Sequence, residues 1–294
     1  ADGTAATADA ILLDPGDNSL PAGNYLATGT LNYTHGITLN GNVTLILADN
    51  CHMNVGTSGE RIEERGIDGY DNLEIYGQAN GTGALSVYVA GELSHAINEG
   101  TVTIYGGNIT ADADGNYSAA IYAENGLTVN RGTVSATATG DDCSGIYSIA
   151  GSVAINGGTV TAGGAYVGIY AETDVNISGG NVTATSTNGN GIEAGNGTIT
   201  LGWTKPTDRI TASSYSGTVA VADGQALTDG SGNIYTGTLT DDEISAIAGQ
   251  TLRPCISYLD SDGETQYCAD YTVLTGDETT LAAGWYFVGK DIDY

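Results

Sequence analysis

Three tyrosines recur at equivalent points of a short repeat, and their type and spacing suggest ligand binding. Tyr122, Tyr147 and Tyr170 each follow an isoleucine, in Ala-Ile-Tyr or Gly-Ile-Tyr. If successive copies stack as neighbouring strands, the three rings form an outward ladder with rungs about 5 Å apart. Rings on a rigid surface bind sugars, because the C–H face of a pyranose stacks on them and the hydroxyl adds a polar contact. The alternative is that the rings stack only on one another and stabilise the strands.

Acidic side chains in two successive loops resemble part of a calcium site. Asp112, Asp114 and Asn116 supply alternating oxygen ligands around a glycine, as at the start of a calcium loop, although the distal bidentate glutamate is missing. Asp141 and Asp142 lie in the equivalent loop of the next copy and would complete the site. Calcium is the one cofactor that this pattern suggests; the alternative is a solvated acidic turn.

The densest charge lies in the segment 58–72, which contains Arg61 and Arg65 among five acidic residues. A polysaccharide lyase on this kind of scaffold would need a basic side chain beside an acidic cleft, and a glycosidase would need clustered carboxylates. Nothing in the sequence places either arginine on a strand face, so a salt-bridged surface loop is the alternative. We assign no catalytic residue and expect the chain not to be an enzyme.

Two of the four cysteines flank a symmetrical segment. If Ser261 and Asp262 form the turn of a hairpin, Tyr258 faces Thr265, and Cys255 faces Cys268 across the strands. This register predicts a cross-strand disulfide, in keeping with an oxidising exterior. Cys51 and Cys143 lie too far apart along the repeat to pair directly, so they are buried thiols or have partners elsewhere.

The element that must position these side chains is a repeat of 22 to 26 residues. Its copies begin near Val102, Leu127, Val153 and Val175, and each contains two short apolar strands split by a glycine-containing corner. A unit this short cannot bury its apolar face alone, so neighbouring copies must stack.

A third strand in each repeat completes the turn and supplies an isoleucine column. Three strands per repeat predict an all-β fold: a three-sided parallel β-helix of about seven coils, with aliphatic columns inside. The inward isoleucine column is Ile67, Ile97, Ile121, Ile146, Ile169 and Ile192.

Composition supports this architecture and excludes some partners. Glycine is abundant, with 45 residues, and proline scarce, with 4, which suits many tight turns. One short helix is expected over 240–248, with Thr240 as its N-cap. A formal charge of −28 makes nucleic acid a poor partner, and no apolar run reaches the roughly 18 residues needed for membrane insertion.

Three stretches carry a resemblance to a known family: residues 41–49, 75–83 and 197–203, within a region of about 20–205. The chain resembles repeat-built extracellular surface proteins of bacteria that have a right-handed parallel β-helix of pectate-lyase-like architecture. The resemblance implies the handedness and a location outside the cell or at the cell surface. It implies no particular activity.

A longer repeat links the two ends of the chain. Residues 273–294 copy residues 12–33 at an offset of 261, and the copy includes Leu281, Trp285, Tyr286, Phe287 and Ile292. Either the chain is a slice of a longer tandem array, or the duplicated strands join subunits end to end by strand addition. The predicted organisation is cap strands at 1–42, a β-helix at 43–202, a β-rich segment at 203–271 with a hairpin at 255–268, and the copy at 272–294.

These observations favour an extracellular structural protein whose copies join end to end into a fibre or stalk. The alternative is an adhesin module that binds polysaccharide through the tyrosine ladder, and a polysaccharide lyase is a third, weaker candidate.

Overall fold

The computed structural model describes residues 9–268, 271–273, 284 and 286–287. In this part of the chain the protein is a parallel β-solenoid of about eight turns with one short helix, which confirms the predicted all-β fold class. None of the described helical residues form a helix long and apolar enough to cross a membrane.

The strands of the solenoid follow one another with short connections. They are β1 (Ile11–Leu12), β2 (Ser19–Ala27), β3 (Thr30–Tyr33), β4 (Ile37–Leu47), β5 (His52–Val55), β6 (Ile67–Asp68), β7 (Asn72–Gly77), β8 (Ala84–Val89), β9 (Ile97–Ile104), β10 (Asn108–Ala113), β11 (Ala119–Val129), β12 (Thr133–Ala138), β13 (Ser144–Ser148), β14 (Ser152–Ile155), β15 (Thr159–Gly164), β16 (Val167–Ala171), β17 (Val175–Ile177), β18 (Asn181–Ser186), β19 (Asn190–Leu201), β20 (Arg209–Ala212) and β21 (Tyr215–Val221).

The last elements follow the solenoid strands in the chain. They are β22 (Ala226–Thr228), β23 (Ile234–Tyr235), α1 (Asp241–Ile247), β24 (Thr251–Leu259), β25 (Thr265–Cys268), β26 (Thr272–Val273) and β27 (Tyr286–Phe287).

The predicted isoleucine column is present and buried. Ile121 pairs with Ile97 on one side and with Ile146 on the other, and Ile146 pairs with Ile169. The column continues to Ile37 and to Tyr215, so stacking extends one turn beyond the predicted isoleucines at each end. Aliphatic side chains of the other two sides fill the same core, and their burial is the main stabilising term.

The solenoid is longer than the predicted span of 43–202. β2 pairs in parallel with β4, so part of the segment expected to form a cap is a solenoid strand itself. At the other end β20 pairs with β18, and β21 pairs with β19. The sequence did not reveal the first and last turns of the solenoid, because their spacing is irregular and only the inner repeats are close copies of one another.

Glycine makes the corner between two sides of each turn. Gly107, Gly132, Gly158 and Gly180 all have positive φ, between 84° and 96°. A Cβ on Gly132 would lie 2.5 Å from the carbonyl oxygen of Gly107 in the preceding turn. The corner therefore requires a residue without a side chain, both for its backbone angle and for the close approach of the next turn.

Antiparallel strands and a helix cover the C-terminal end of one sheet. β24 pairs with β20 and β22 in antiparallel fashion, which ends the parallel stacking there. The helix α1 has Thr240 as its N-cap, with a full capping box to Glu243. The predicted helix is thereby confirmed, and its buried Ile247 packs into the core cluster.

The hairpin of β24 and β25 is present, but its predicted register is wrong by one residue. Leu259 rather than Tyr258 faces Thr265, so Cys268 faces Ile256. The reason is the turn: the amide of Asp260 donates to the carbonyl of Glu264, and Gly263 has φ 82°, which makes a three-residue loop.

Both hairpin cysteines, Cys255 and Cys268, are buried. Burial raises the pKa of Cys255 to about 11, and the neighbouring Cys268 adds to this effect. Cys51 and Cys143 are buried, free thiols, which agrees with the alternative that they do not have disulfide partners elsewhere.

Candidate ligand-binding site on the tyrosine face

The three predicted tyrosines occupy one column on successive turns. Tyr122 pairs with Tyr147, and Tyr147 with Tyr170, in the strand register that also stacks the isoleucines. The column includes Asp68 and Asn98 in earlier turns and Glu193 in the next turn. The predicted ladder therefore exists, and its role in binding sugars stays a prediction.

The rings of the ladder cover one another. Tyr122 and Tyr147 are stacked with centroids 6.0 Å apart, and Tyr147 and Tyr170 with centroids 4.5 Å apart. His95 stacks on the other side of Tyr122 at 4.7 Å. Since the ring faces point along the solenoid at each other, the ladder presents mainly edges and hydroxyl groups to the outside. A pyranose cannot lie flat on a middle rung.

Two further tyrosines with exposed rings create a cleft beside the ladder. The side chains of Tyr117 and Tyr166 are 53% and 41% exposed. The cleft has a volume of about 340 Å³, and we call it the tyrosine cleft. It is lined by His95, Tyr117, Ser118, Ala119, Tyr122, Asp142, Ser144, Tyr147 and Tyr166.

Carboxylates surround this cleft and the adjacent ladder. Burial raises the pKa of Tyr166, and the charges of Glu193 and Asp142 raise it further. Tyr170 donates a 2.5 Å hydrogen bond to Glu172, and its pKa is raised by burial and by this bond. The tyrosines thus stay protonated at neutral pH, and the local potential is negative.

A second cleft of about 390 Å³ continues past His95 toward earlier turns and ends at an ion pair. Arg65 contacts Asp68 at 3.0 Å, and Asn98 donates to the same carboxylate at 2.7 Å. His95 accepts from the amide of Ala119 through Nδ1, and burial lowers its pKa to about 4, so the imidazole is neutral. The guanidinium of Arg65 at this end of the second cleft is therefore already paired with a carboxylate.

Glu99 is a buried acid at the floor of the second cleft. It occupies an inward position opposite Ala123, and its side chain is 2% exposed. Burial, together with the charges of Asp68 and Asp71, raises its pKa to about 8. Its Oε1 has no hydrogen-bond partner among the described residues. The raised pKa keeps this carboxyl neutral at pH 7.

The predicted calcium ligands are not gathered into one site. Arg61 bonds Asp112 at 2.8 Å and lies 3.9 Å from Asp114, so a guanidinium takes the place expected for the cation. Asn116 accepts from the amide of Asp141 rather than facing the other ligands. In the part of the chain that is described, no cluster of three or more acidic, histidine or cysteine residues could hold a metal.

The two arginines of the charged loop are engaged in ion pairs. Arg61 also lies over the ring of Tyr88, 5.8 Å from its centroid. Neither arginine is free to act as the base of a lyase, because each guanidinium is bound to a carboxylate. The salt-bridged loop, offered as the alternative, is the observed arrangement.

Most of the predicted assembly residues lie outside the described part of the chain. These are Leu281, Trp285 and Ile292. Tyr286 and Phe287 are described as strand β27, which pairs in parallel with β26.

Sequence reasoning missed Tyr117, Tyr166, His95 and Glu99. A signal existed for Glu99, since it lies two residues after Ile97 at a position that points inward. Tyr117 and Tyr166 lie in the turns ahead of the isoleucine strands, where spacing varies, so no periodic pattern marks them.

No family model, no curated protein and no solved structure matches this chain.

Proposed function

We propose that the chain is a structural repeat module of a bacterial cell-surface fibre or stalk, joined end to end with further copies of itself. The observation that carries this proposal is the pairing of β26 with β27. Thr272 pairs with Tyr286 and Val273 with Phe287. In the first turn Ile11 pairs with Tyr25 and Leu12 with Leu26.

Each of these four C-terminal residues lies 261 positions after its N-terminal counterpart. The long repeat is therefore a repeat of strand pairing as well as of sequence. A segment that reproduces the first parallel pair of the solenoid has the backbone pattern needed to begin another solenoid or to add to the end of one.

The N-terminal end of the solenoid supports a contact there. Ile11 and Leu12 are 59% and 65% exposed. In the described residues β3 pairs with β5 on one side only, so its other edge is open. An open strand edge and exposed aliphatic side chains in the first turn both favour strand addition. The charge of −28 would keep fibres apart at low ionic strength, and salt would promote their lateral association.

Electron microscopy of the purified chain beside a version truncated after Gly276 tests the joining. We expect the full chain to form end-to-end filaments at high protein concentration and the truncated chain, which lacks β27, to stay monomeric. Circular dichroism of the truncated chain controls for folding. A monomeric full chain, or equal polymerisation of both chains, would show that the copies are not joined by this strand and that the repeat belongs to a tandem array.

The second candidate function is carbohydrate binding, and the polar groups along the tyrosine ladder favour it. Tyr170, Glu172 and Asn196 form a hydrogen-bonded row at one end of the ladder, since Tyr170 and Asn196 both donate to Glu172. Such polar edges could bind sugar hydroxyls, although the covered ring faces cannot stack on a sugar.

A glycan array with the parent chain and Tyr147→Ala separates a binder from a scaffold. If the chain is an adhesin, specific glycan binding should fall by at least about tenfold in Tyr147→Ala and be retained in Tyr76→Ala, whose ring stacks on Tyr105 elsewhere. Absence of any specific signal, or equal binding by both variants, would exclude the ladder as a sugar site.

A further inference from the structure

We propose that the tyrosine cleft binds an organic cation, of the quaternary ammonium class. This inference is independent of the fibre proposal, because it concerns a lateral face of the solenoid and not its ends. It rests on ring placement, charge and the hydrogen bonds of the lining residues.

Four tyrosine rings from successive turns meet at the cleft. Tyr122 and Tyr147 form its floor, and their ring centroids are 6.0 Å apart where the next pair of rungs is 4.5 Å apart. Tyr117 and Tyr166 also line it, and these two residues are 53% and 41% exposed. The exposed rings of Tyr117 and Tyr166 border a space of about 340 Å³, which is large enough for a trimethylammonium group to lie against a tyrosine ring face.

Charge selects a cation over an anion. Asp142 contributes a carboxylate to the lining, and no lysine or arginine lies among the lining residues. His95, at the edge of the cleft, is neutral above about pH 4 because burial lowers its pKa. The overall charge of −28 adds an attractive field for cations.

The hydrogen bonds of the lining residues favour a cation that has no hydrogen-bond donor on its charged group over a sugar. The hydroxyl of Ser118 shares its one proton between the carbonyl oxygens of Gly91 and Asn116, at 3.2 and 3.3 Å. The backbone amide of Ala119 donates to His95. These two lining groups are occupied within the protein and offer nothing to a ligand hydroxyl, whereas a quaternary ammonium group has no hydrogen-bond donor to satisfy.

Two lining residues are held in a strained backbone conformation. Tyr117 has φ 57° and Asp142 has φ 50°, both in the left-handed region that side chains other than glycine rarely adopt. The amide of Tyr117 donates to the carbonyl of Asp141 at 2.9 Å, which links the two loops. Strain of this kind is retained where it positions a side chain for binding.

The test is a titration with choline, followed by calorimetry and by the chemical shifts of tyrosine rings. The matched ligand is the uncharged isostere of choline, in which a tert-butyl group replaces the trimethylammonium group. We expect choline to bind at least about tenfold more tightly than this alcohol, and to bind more weakly as salt is added. Equal binding of the two ligands, or no binding of choline, would overturn the proposal.

Variants of the lining locate the site. Tyr166→Leu should weaken choline binding about three- to fivefold, while Tyr166→Phe retains it, because the second variant keeps the ring face. Asp142→Asn should also weaken it, and asparagine tolerates the left-handed backbone at that position. Tyr76→Leu, in the separate stack with Tyr105, is the control and should leave binding unchanged. Equal loss in the control variant would place the cation elsewhere.

Vesicles of phosphatidylcholine distinguish two sources of the same chemical group. Binding of free choline alone assigns a soluble cation, and binding of both free choline and vesicles assigns a lipid head group; both results support the cleft. Binding to vesicles without free choline would contradict it, since the cleft would then not recognise the ammonium group itself.

Discussion

Ile146→Asp should abolish the cooperatively folded state of the solenoid. Ile146 is fully buried and stacks between Ile121 and Ile169 in the middle of the column. An aspartate there places a carboxylate among aliphatic side chains with no partner, and each turn of a solenoid is stabilised by its neighbours on both sides. We expect a loss of more than about 4 kcal/mol in the free energy of unfolding. Circular dichroism with urea unfolding measures it.

The matched control is Thr161→Asp, which adds the same charge on an exposed, outward position of β15. Its effect should stay within about 1 kcal/mol, because surface substitutions change stability little. An Ile146→Asp protein that is soluble and unfolds cooperatively at the parent midpoint would show that the side chain is not in the core and that the register is wrong.

Glu99 should make the protein less stable as the pH rises from 6.5 to 8.5. Its pKa of about 8 in the folded state exceeds the ordinary 4.5, so the folded state binds more protons than the unfolded state between these values. The contribution of Glu99 to the free energy of unfolding is therefore at its maximum below about pH 4.5. It decreases by about 1.4 kcal/mol for each pH unit as the pH rises toward 8.

His95 acts in the opposite direction over a lower range. Its folded pKa of about 4 lies below the ordinary 6.5, so stability is present above 6.5 and is lost as the pH falls toward 4. The two effects offset each other between about pH 4.5 and 6.5. The fall caused by Glu99 should consequently appear alone above pH 6.5, with a size of about 2 kcal/mol.

Urea unfolding at pH 6.5 and 8.5 measures this fall, and Glu99→Gln should remove it, because the amide has nearly the same shape and does not ionise. Glu124→Gln, which changes an exposed glutamate two residues after Tyr122, is the control and should keep the parent pH dependence. A parent chain equally stable at both pH values, or a Glu99→Gln variant that still loses stability, would contradict the buried, neutral state of Glu99.

Sequence periodicity alone determined the fold class, the isoleucine column and the tyrosine column. In a stacked solenoid, residues at the same point of each repeat must pair, so the spacing of Ile121, Ile146 and Ile169 fixes their contacts. The capped helix could also be predicted from the sequence, because its capping box is local. Thr240 and Glu243, three residues apart, form reciprocal hydrogen bonds between side chain and backbone.

Tertiary structure decided what the tyrosine column exposes. The sequence places Tyr122, Tyr147 and Tyr170 on one outward column, but ring orientation depends on side-chain packing between turns, and packing turned the faces toward each other. The open rings belong to Tyr117 and Tyr166 in the turns, whose backbone angles follow from contacts with neighbouring loops and not from a repeat.

Charge pairing and hairpin register likewise required the structure. Arg61 reaches Asp112 across 51 residues of sequence, a contact that no local pattern encodes, and it places a guanidinium beside the acids expected to bind calcium. The loop closed by Asp260 and Glu264 moved Cys268 opposite Ile256, because one residue more in a turn shifts every pair beyond it. Contacts that repeat between stacked turns could be predicted from the sequence, because the same spacing recurs in every turn. Contacts that are made only once, between turns or across a loop, depended on the three-dimensional arrangement.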